Sequence, residues 1–154
     1  MTAYRKILVP HDGSEMSDKA LKHALTLARA TKARLLIVTV IPKTIRPIGL
    51  YLSESPGAGG AKRIFAGLKE MVRKETADKL SKLSRQCEKQ GVKAEYRIVE
   101  GYAVDKIIDT VQKQEIDLVV MGSHSLIGVK RIKALGSVAR SVSEHCTCPV
   151  LIVH

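Results

Sequence analysis

Residues 6–18 read Lys-Ile-Leu-Val-Pro-His-Asp-Gly-Ser-Glu-Met-Ser-Asp. Lys6-Ile7-Leu8-Val9 is a short apolar run ended by Pro10, which reads as a buried strand. Asp12-Gly13-Ser14 then supplies a turn and a helix start. Glu15 and Asp18 put negative charge in the first helical turn, where the helix dipole favours it. Ala20, Leu21, Ala24, Leu25 and Ala28 recur at helical spacing to about Thr31. A buried strand running through a tight turn into an amphipathic helix is the opening unit of an alternating α/β domain.

The same alternation continues outward. Arg34 to Val40 predicts a second buried strand. The stretch 42–61 breaks the pattern with Pro42, Pro47, Pro56, Gly49, Gly57, Gly59 and Gly60. A loop of that length is either disordered or functional, for example a flap over a site. Ile64, Leu68, Met71 or Val72, Leu80, Leu83 and Cys87 mark a long amphipathic helix closed by Gly91. Val92, Ala94, Tyr96 and Ile98 alternate as in a strand with one more exposed face. Val104, Ile107, Ile108 and Val111 predict a helix, and Leu118-Val119-Val120-Met121 a fully apolar strand. Ser137 is placed to cap a short helix through Glu144, with Val138 and Val142 inward. Pro149-Val150-Leu151-Ile152-Val153 is the last strand.

Strands separated by helices imply parallel pairing through right-handed crossovers. Ligands in such sheets bind beyond the carboxyl ends of the strands, near the switch point. That rule nominates Pro10 to Ser14 and Met121 to Ser137. No internal repeat or low-complexity tract interrupts the chain.

The 154 residues set an expectation of one domain, 1–154. With one Phe, four Tyr and no Trp, the core must be aliphatic. Twenty-six Lys and Arg against fifteen Asp and Glu give a formal charge of +11, which favours acidic partners such as nucleotides, nucleic acid or a membrane surface. No apolar stretch approaches the ~20 residues of a membrane-spanning helix. No secretory signal opens the chain, so the expected location is cytoplasmic and no membrane partner is expected. Nucleic acid is disfavoured as well, because aromatics interleaved for base stacking are missing, as is any recognition signature. Cys87, Cys146 and Cys148 form no disulfide framework, and Cys146-Thr147-Cys148 is not a C-x-x-C site; thiols in a reducing compartment are the ordinary reading.

The segment Gly122-Ser123-His124-Ser125-Leu126-Ile127-Gly128 follows a strand, and Gly136-Ser137 opens a helix. Such glycines either let a backbone approach a phosphate held by helix amides or simply serve tight turns. Lys130, Arg131 and Lys133 add positive charge between them. There is no Walker A loop, and no G-x-G-x-x-G follows the first strand. His11 and His124 read either as solvated loop histidines or as a pair meeting across the site, on a metal or a phosphate. His23, His145 and His154 read as surface residues. No nucleophile–base set is readable, so no catalytic residue is assigned, and slow hydrolysis of a bound phosphate compound is the most that is expected of the site.

Ile7-Leu8-Val9-Pro10-His11-Asp12-Gly13-Ser14-Glu15 resembles the opening ILVPxDGSE of the universal stress protein family. Asp117-Leu118-Val119-Val120-Met121-Gly122-Ser123 resembles its DLIVMGS, and Gly136-Ser137-Val138-Ala139 and Cys148-Pro149-Val150-Leu151-Ile152-Val153 resemble GSVxxxV and CPVLVV. The match keeps order and spacing along nearly the whole chain, apart from the variable loop 42–61. The resemblance implies an α/β fold with a doubly wound open sheet of five parallel strands in the order 3-2-1-4-5 and helices on both faces. It implies a homodimer, formed through the last strand, Val150 to Val153, and an unidentified protein partner. It also implies a stress-response protein with ATP or AMP as ligand, together with magnesium, through G-x2-G-x9-G-[ST]. On that pattern Pro10 and His11 border the nucleotide, and Asp12 meets the ribose or the nucleotide-bound magnesium. Val40 offers backbone hydrogen bonds to adenine. Met121 and Gly122 line the nucleotide, while Ser125 and Gly128 belong to the loop and Gly136, Ser137 and Val138 hold phosphates.

Two departures stand out. The second glycine of the pattern is Ser125, and ten residues rather than nine, Leu126 to Leu135, separate it from Gly136. The extra residue is expected to bulge near Lys133-Ala134. A nucleotide-free dimer working through protein partners is therefore the alternative expectation.

Overall fold

Ile7, Leu8 and Val9 are wholly buried, which requires a strand covered on both faces. They form β1 (Lys6–Pro10), the middle strand of the computed structural model, which describes residues 4–43, 59–124 and 135–154. Along the chain follow α1 (Glu15–Thr31), β2 (Arg34–Ile41), α2 (Gly59–Lys89), β3 (Ala94–Glu100), α3 (Ala103–Lys113), β4 (Leu118–Gly122), α4 (Ser137–His145) and β5 (Val150–Val153). The sheet has five parallel strands in the order β3-β2-β1-β4-β5, as expected. β1 aligns with β2 from Lys6↔Arg34 to Pro10↔Val38, and with β4 only at Ile7↔Leu118 and Leu8↔Val119.

Side-chain alternation divides the core into two layers. Ile7, Val9, Leu35, Ile37, Leu118 and Val120 face α1 and α2, where Ala20, Ala24, Ala28, Leu80 and Cys87 meet them. Leu8, Leu36, Val38, Val119 and Met121 face α3 and α4, against Ile107, Val111, Ala139 and Val142. The small alanines of α1 let that helix lie close to the sheet. Ser14 caps it, its Oγ accepting the Ser17 N–H at 3.1 Å.

Three local expectations are corrected. Residues 59–61, assigned to the variable loop, already belong to α2; residues 44–58 of that loop lie outside the described residues. Within α2, Ile64 and Met71 continue the apolar periodicity yet are 69% and 66% exposed, whereas Leu80 and Cys87 are buried. The reason is length. At 31 residues α2 spans about 46 Å, while the seven residues of β3 span about 23 Å, so the first turns of the helix have no sheet beneath them. Third, the N-cap of α4 is Gly136, not Ser137. Ser137 is the first helical residue, and glycine has no side chain with which to cap the helix.

Where α2 passes the end of the sheet, Glu100 ties it down. Its carboxylate accepts from Lys69 Nζ at 2.7 Å and Arg73 Nη1 at 3.3 Å. The Lys69 hydrogen bond, aided by the nearby charges of Arg73 and Lys43, holds the Glu100 carboxyl below the usual carboxylate range. No helix among the described residues is long and apolar enough to cross a membrane.

Candidate functional site

β1 and β4 part company at their carboxyl ends. Their pairing stops at Leu8↔Val119, yet β1 runs on to Pro10 and β4 to Gly122. The chain leaves β1 for α1 on one face of the sheet and leaves β4 for α4 on the other. Connections that depart in opposite directions open a crevice between them. Here the crevice encloses about 690 Å³ of empty space, part of it open to solvent.

Pro10, His11 and Asp12 form one wall, and Val38 and Val40 of β2 extend it. Met121 and Gly122 border the opposite side, and Gly136, Ser137 and Val138 close the end at the start of α4. The crevice therefore brings together nine of the residues expected there from the sequence, Val40 among them: the pieces come from β1, β2, β4 and α4, far apart in the chain. Ser125 and Gly128, also expected there, and the bulge expected near Lys133-Ala134, lie outside the described residues.

The backbone direction at Val40 suits recognition of a base edge. His11 N–H donates to Val38 O at 2.8 Å, so the peptide polar groups of Val38 point toward β1. Gly101 N–H donates to Ile41 O at 3.0 Å, so those of Ile41 point toward β3. Alternation along the strand turns the N–H and C=O of Val40 toward the β1 side, past the last residue of β1.

His11 is neither solvated nor placed to ligate a metal. It is 7% exposed, and both ring nitrogens are engaged. Nδ1 lies 3.2 Å from the Gly13 N–H, which donates to it, and Nε2 lies 2.9 Å from Asp18 Oδ1. That pattern places the ring proton on Nε2. Thr39 Oγ1 donates to His11 O at 2.6 Å and fixes the backbone of the same residue to β2. His11 thus builds the wall by holding the turn. Asp12 holds it too, Oδ1 accepting the Ser14 N–H at 2.9 Å. Gly13 sits between them at φ 83°, a conformation that suits glycine. His124 also lines the crevice, its Nδ1 2.7 Å from Ser123 Oγ. Among the described residues, no group of three or more His, Cys, Asp or Glu is arranged to hold a metal ion.

The glycines answer to packing before ligand. A Cβ on Gly122 would lie 2.7 Å from Met16 Cβ and 2.8 Å from its carbonyl carbon, so α1 needs that glycine to lie against β4. A Cβ on Gly136 would lie 2.9 Å from Ser123 O, the same oxygen that accepts the Gly136 N–H at 2.8 Å. This contact presses the start of α4 onto the end of β4. The first bond of that helix runs from Arg140 N–H to Gly136 O, so the amides of Ser137, Val138 and Ala139 have no intrahelical acceptor and stand at the crevice. Three such amides and the positive end of the helix dipole favour an anion.

Ser17, Val38, Ala103, Ile107 and Ala139 line the crevice without having been singled out for it. Val38 was findable, since it lies two residues before Val40 on a strand. Ala103 and Ile107 share a face of α3 at i, i+4, but their approach to the crevice follows from how α3 sits on the sheet.

The family model described as the universal stress protein family matches residues 3–154. Universal stress protein MJ0531 of Methanocaldococcus jannaschii is 34% identical over 151 residues, covering 97% of this chain and 82% of its own length. The solved structure of MJ0577 superimposes with a TM-score of 0.80 at 27% identity, covering 99% of this chain and 96% of that one. A universal stress protein solved in complex with cAMP superimposes with a TM-score of 0.64, also at 27% identity, over 99% of this chain and 98% of that one.

Proposed function

This chain belongs to the universal stress protein family, and we propose that within it the chain is an adenine-nucleotide-binding regulatory protein that takes ATP or AMP, with magnesium in the case of ATP. The observation that carries this reading is the juxtaposition, in one mainly apolar crevice, of the outward-turned backbone of Val40 and the first amides of α4, which have no acceptor within the helix. A flat base needs an apolar slot with a few fixed polar groups at its edge, and a phosphate needs converging N–H donors. Val38, Val40 and Ile107 supply the slot, and Ser137, Val138 and Ala139 the donors. The cAMP complex of a relative adds support from a protein of the same fold. Asp12 stands at the crevice with one carboxylate oxygen committed to the turn. Magnesium, when bound with ATP, would screen the charge between this carboxylate and the phosphates. The residues named here bind and orient the nucleotide.

Calorimetric titration of nucleotide-stripped protein with ATP and magnesium, and with AMP and GTP for comparison, tests the proposal. Saturable binding near one ATP per chain is the expected result. Absence of heat and of any thermal shift with every nucleotide would leave the nucleotide-free interaction module, which Ser125 in place of a glycine favours. Asp12→Asn keeps an oxygen for the Ser14 N–H but removes the charge. It should weaken magnesium-ATP about tenfold, roughly 1.4 kcal/mol, and leave AMP without metal nearly unchanged. An equal loss for both nucleotides would mean that the turn, not the charge, was damaged.

The assembly proposed with this function is a homodimer through β5. That strand closes one edge of the sheet, and Leu151 in it is 39% exposed, an apolar edge of the kind that pairs with another chain. Light scattering at working concentration should give twice the chain mass. A monomer mass would remove β5 as a standing interface and turn attention to the other exposed apolar residues.

A further inference from the structure

Cys146 and Cys148 face each other at the far end of α4 from the crevice. Cys146 ends the helix, its N–H donating to Val142 O at 2.9 Å, and its own backbone is already extended at φ −73° and ψ 139°. In an extended segment residues i and i+2 share a face. Both side chains accordingly pack against the same apolar layer beneath α3 and α4, both are partly exposed, and their Sγ atoms lie 3.5 Å apart. The rise of a strand caps the Cα separation of such a pair at about 6.6 Å, inside the ~4.4–6.8 Å that a disulfide spans, and the bend at Thr147 and Cys148 shortens it further. Cys87, the remaining cysteine, belongs to α2 and is buried in the opposite layer.

We propose that Cys146 and Cys148 are a reversible oxidation site that closes to an intramolecular disulfide when a peroxide reaches it. The two sulfurs are not equivalent. Burial pushes the Cys148 thiol up to about 12, helped by its hydrogen bond to Cys146 and by the nearby charge of Asp117. Burial therefore disfavours ionisation of Cys148, and the first attack falls to Cys146. Cys146 attacks one peroxide oxygen and the O–O bond breaks. The sulfur gives up two electrons and becomes a sulfenic acid, and the departing hydroxide takes up a proton as water. The Cys148 sulfur then attacks the sulfenic sulfur. The S–S bond forms, the S–O bond breaks, and the hydroxyl leaves with the Cys148 proton as a second water. A ring closed across one intervening residue is small, and small strained disulfides are the readily reduced ones, so a dithiol reductant should reopen it.

Reduced full-length protein, treated with hydrogen peroxide while folded, then alkylated and weighed intact and as peptides, tests the proposal. The expected product is a monomeric chain lighter by two hydrogens, with the loss confined to the peptide that carries both Cys146 and Cys148. Cys87 should be the single cysteine still alkylated after unfolding, and dithiothreitol should restore all three. In Cys148→Ser the reaction should stop at a sulfenic acid on Cys146 that dimedone captures. In Cys146→Ser the same peroxide dose should leave Cys148 unoxidised. Three alkylatable cysteines after peroxide, disulfides between chains, or sulfinic acid arising separately at each cysteine would each overturn the assignment.

Discussion

Gly136→Val is expected to remove ATP binding, lowering affinity by about a hundredfold or more, roughly 2.7 kcal/mol, in a protein that still folds. The reason is space, not backbone conformation. Gly136 has φ −60° and ψ 152°, which any residue can adopt. Its absent Cβ, however, would lie 2.9 Å from Ser123 O and 3.5 Å from His124 Cα. Ser123 cannot yield readily, because it is wholly buried and its N–H donates to Val153 O at 2.8 Å. The strain must fall on the first turn of α4, which moves away from β4 and takes the amides of Ser137 and Val138 out of convergence. Forcing extra methyl groups into a packed site costs about 1–3 kcal/mol, which a domain of this size can absorb. Gly136→Ala carries the clashing Cβ without the two further methyls and should give an intermediate loss. Calorimetry beside thermal unfolding makes the check. Unchanged affinity in a cooperatively folding Gly136→Val protein would remove the α4 amides from the site.

Ile37→Ala is expected to be the costliest single truncation for stability, at about 2–5 kcal/mol in urea or thermal unfolding. Ile37 is wholly buried in β2, paired with Val9 on one side and Tyr96 on the other, and its side chain lies in the layer covered by α1 and α2. Truncation removes buried methyl groups and leaves a cavity that neighbouring strands cannot close. The same change at Ile64 is the control. Ile64 is 69% exposed, so Ile64→Ala should fall within about ±0.5 kcal/mol. Equal losses at the two positions would mean that the first turns of α2 are covered in solution by something other than the described chain.

That pair of isoleucines also marks where the sequence reading succeeded and where it could not. Apolar runs such as Leu118 to Met121 identified strands because four consecutive buried residues leave no solvent face. The periodicity of α2 identified a helix but treated Ile64 and Leu80 as equals; only the end of β3 separates them. The turn at Asp12-Gly13-Ser14 was readable, but the burial of His11 was not. A histidine after a strand is ordinarily solvated, and its partners Asp18 and Gly13 meet the ring only once α1 folds back against β1. Ser137 was the natural cap by residue type, yet the contact of Gly136 with Ser123 sets where α4 begins.

By itself the sequence determined the order of strands and helices, their parallel sense and the two loops from which a site had to be built. Those properties are local: they follow from period, turn chemistry and the rule that crossovers are right-handed. Tertiary structure decided the rest. It set which residues of β2 and α3 reach the crevice, which glycines are demanded by packing and which apolar face of α2 stays in water. Each of these depends on distances between segments remote in the chain, and no pattern within a segment encodes them.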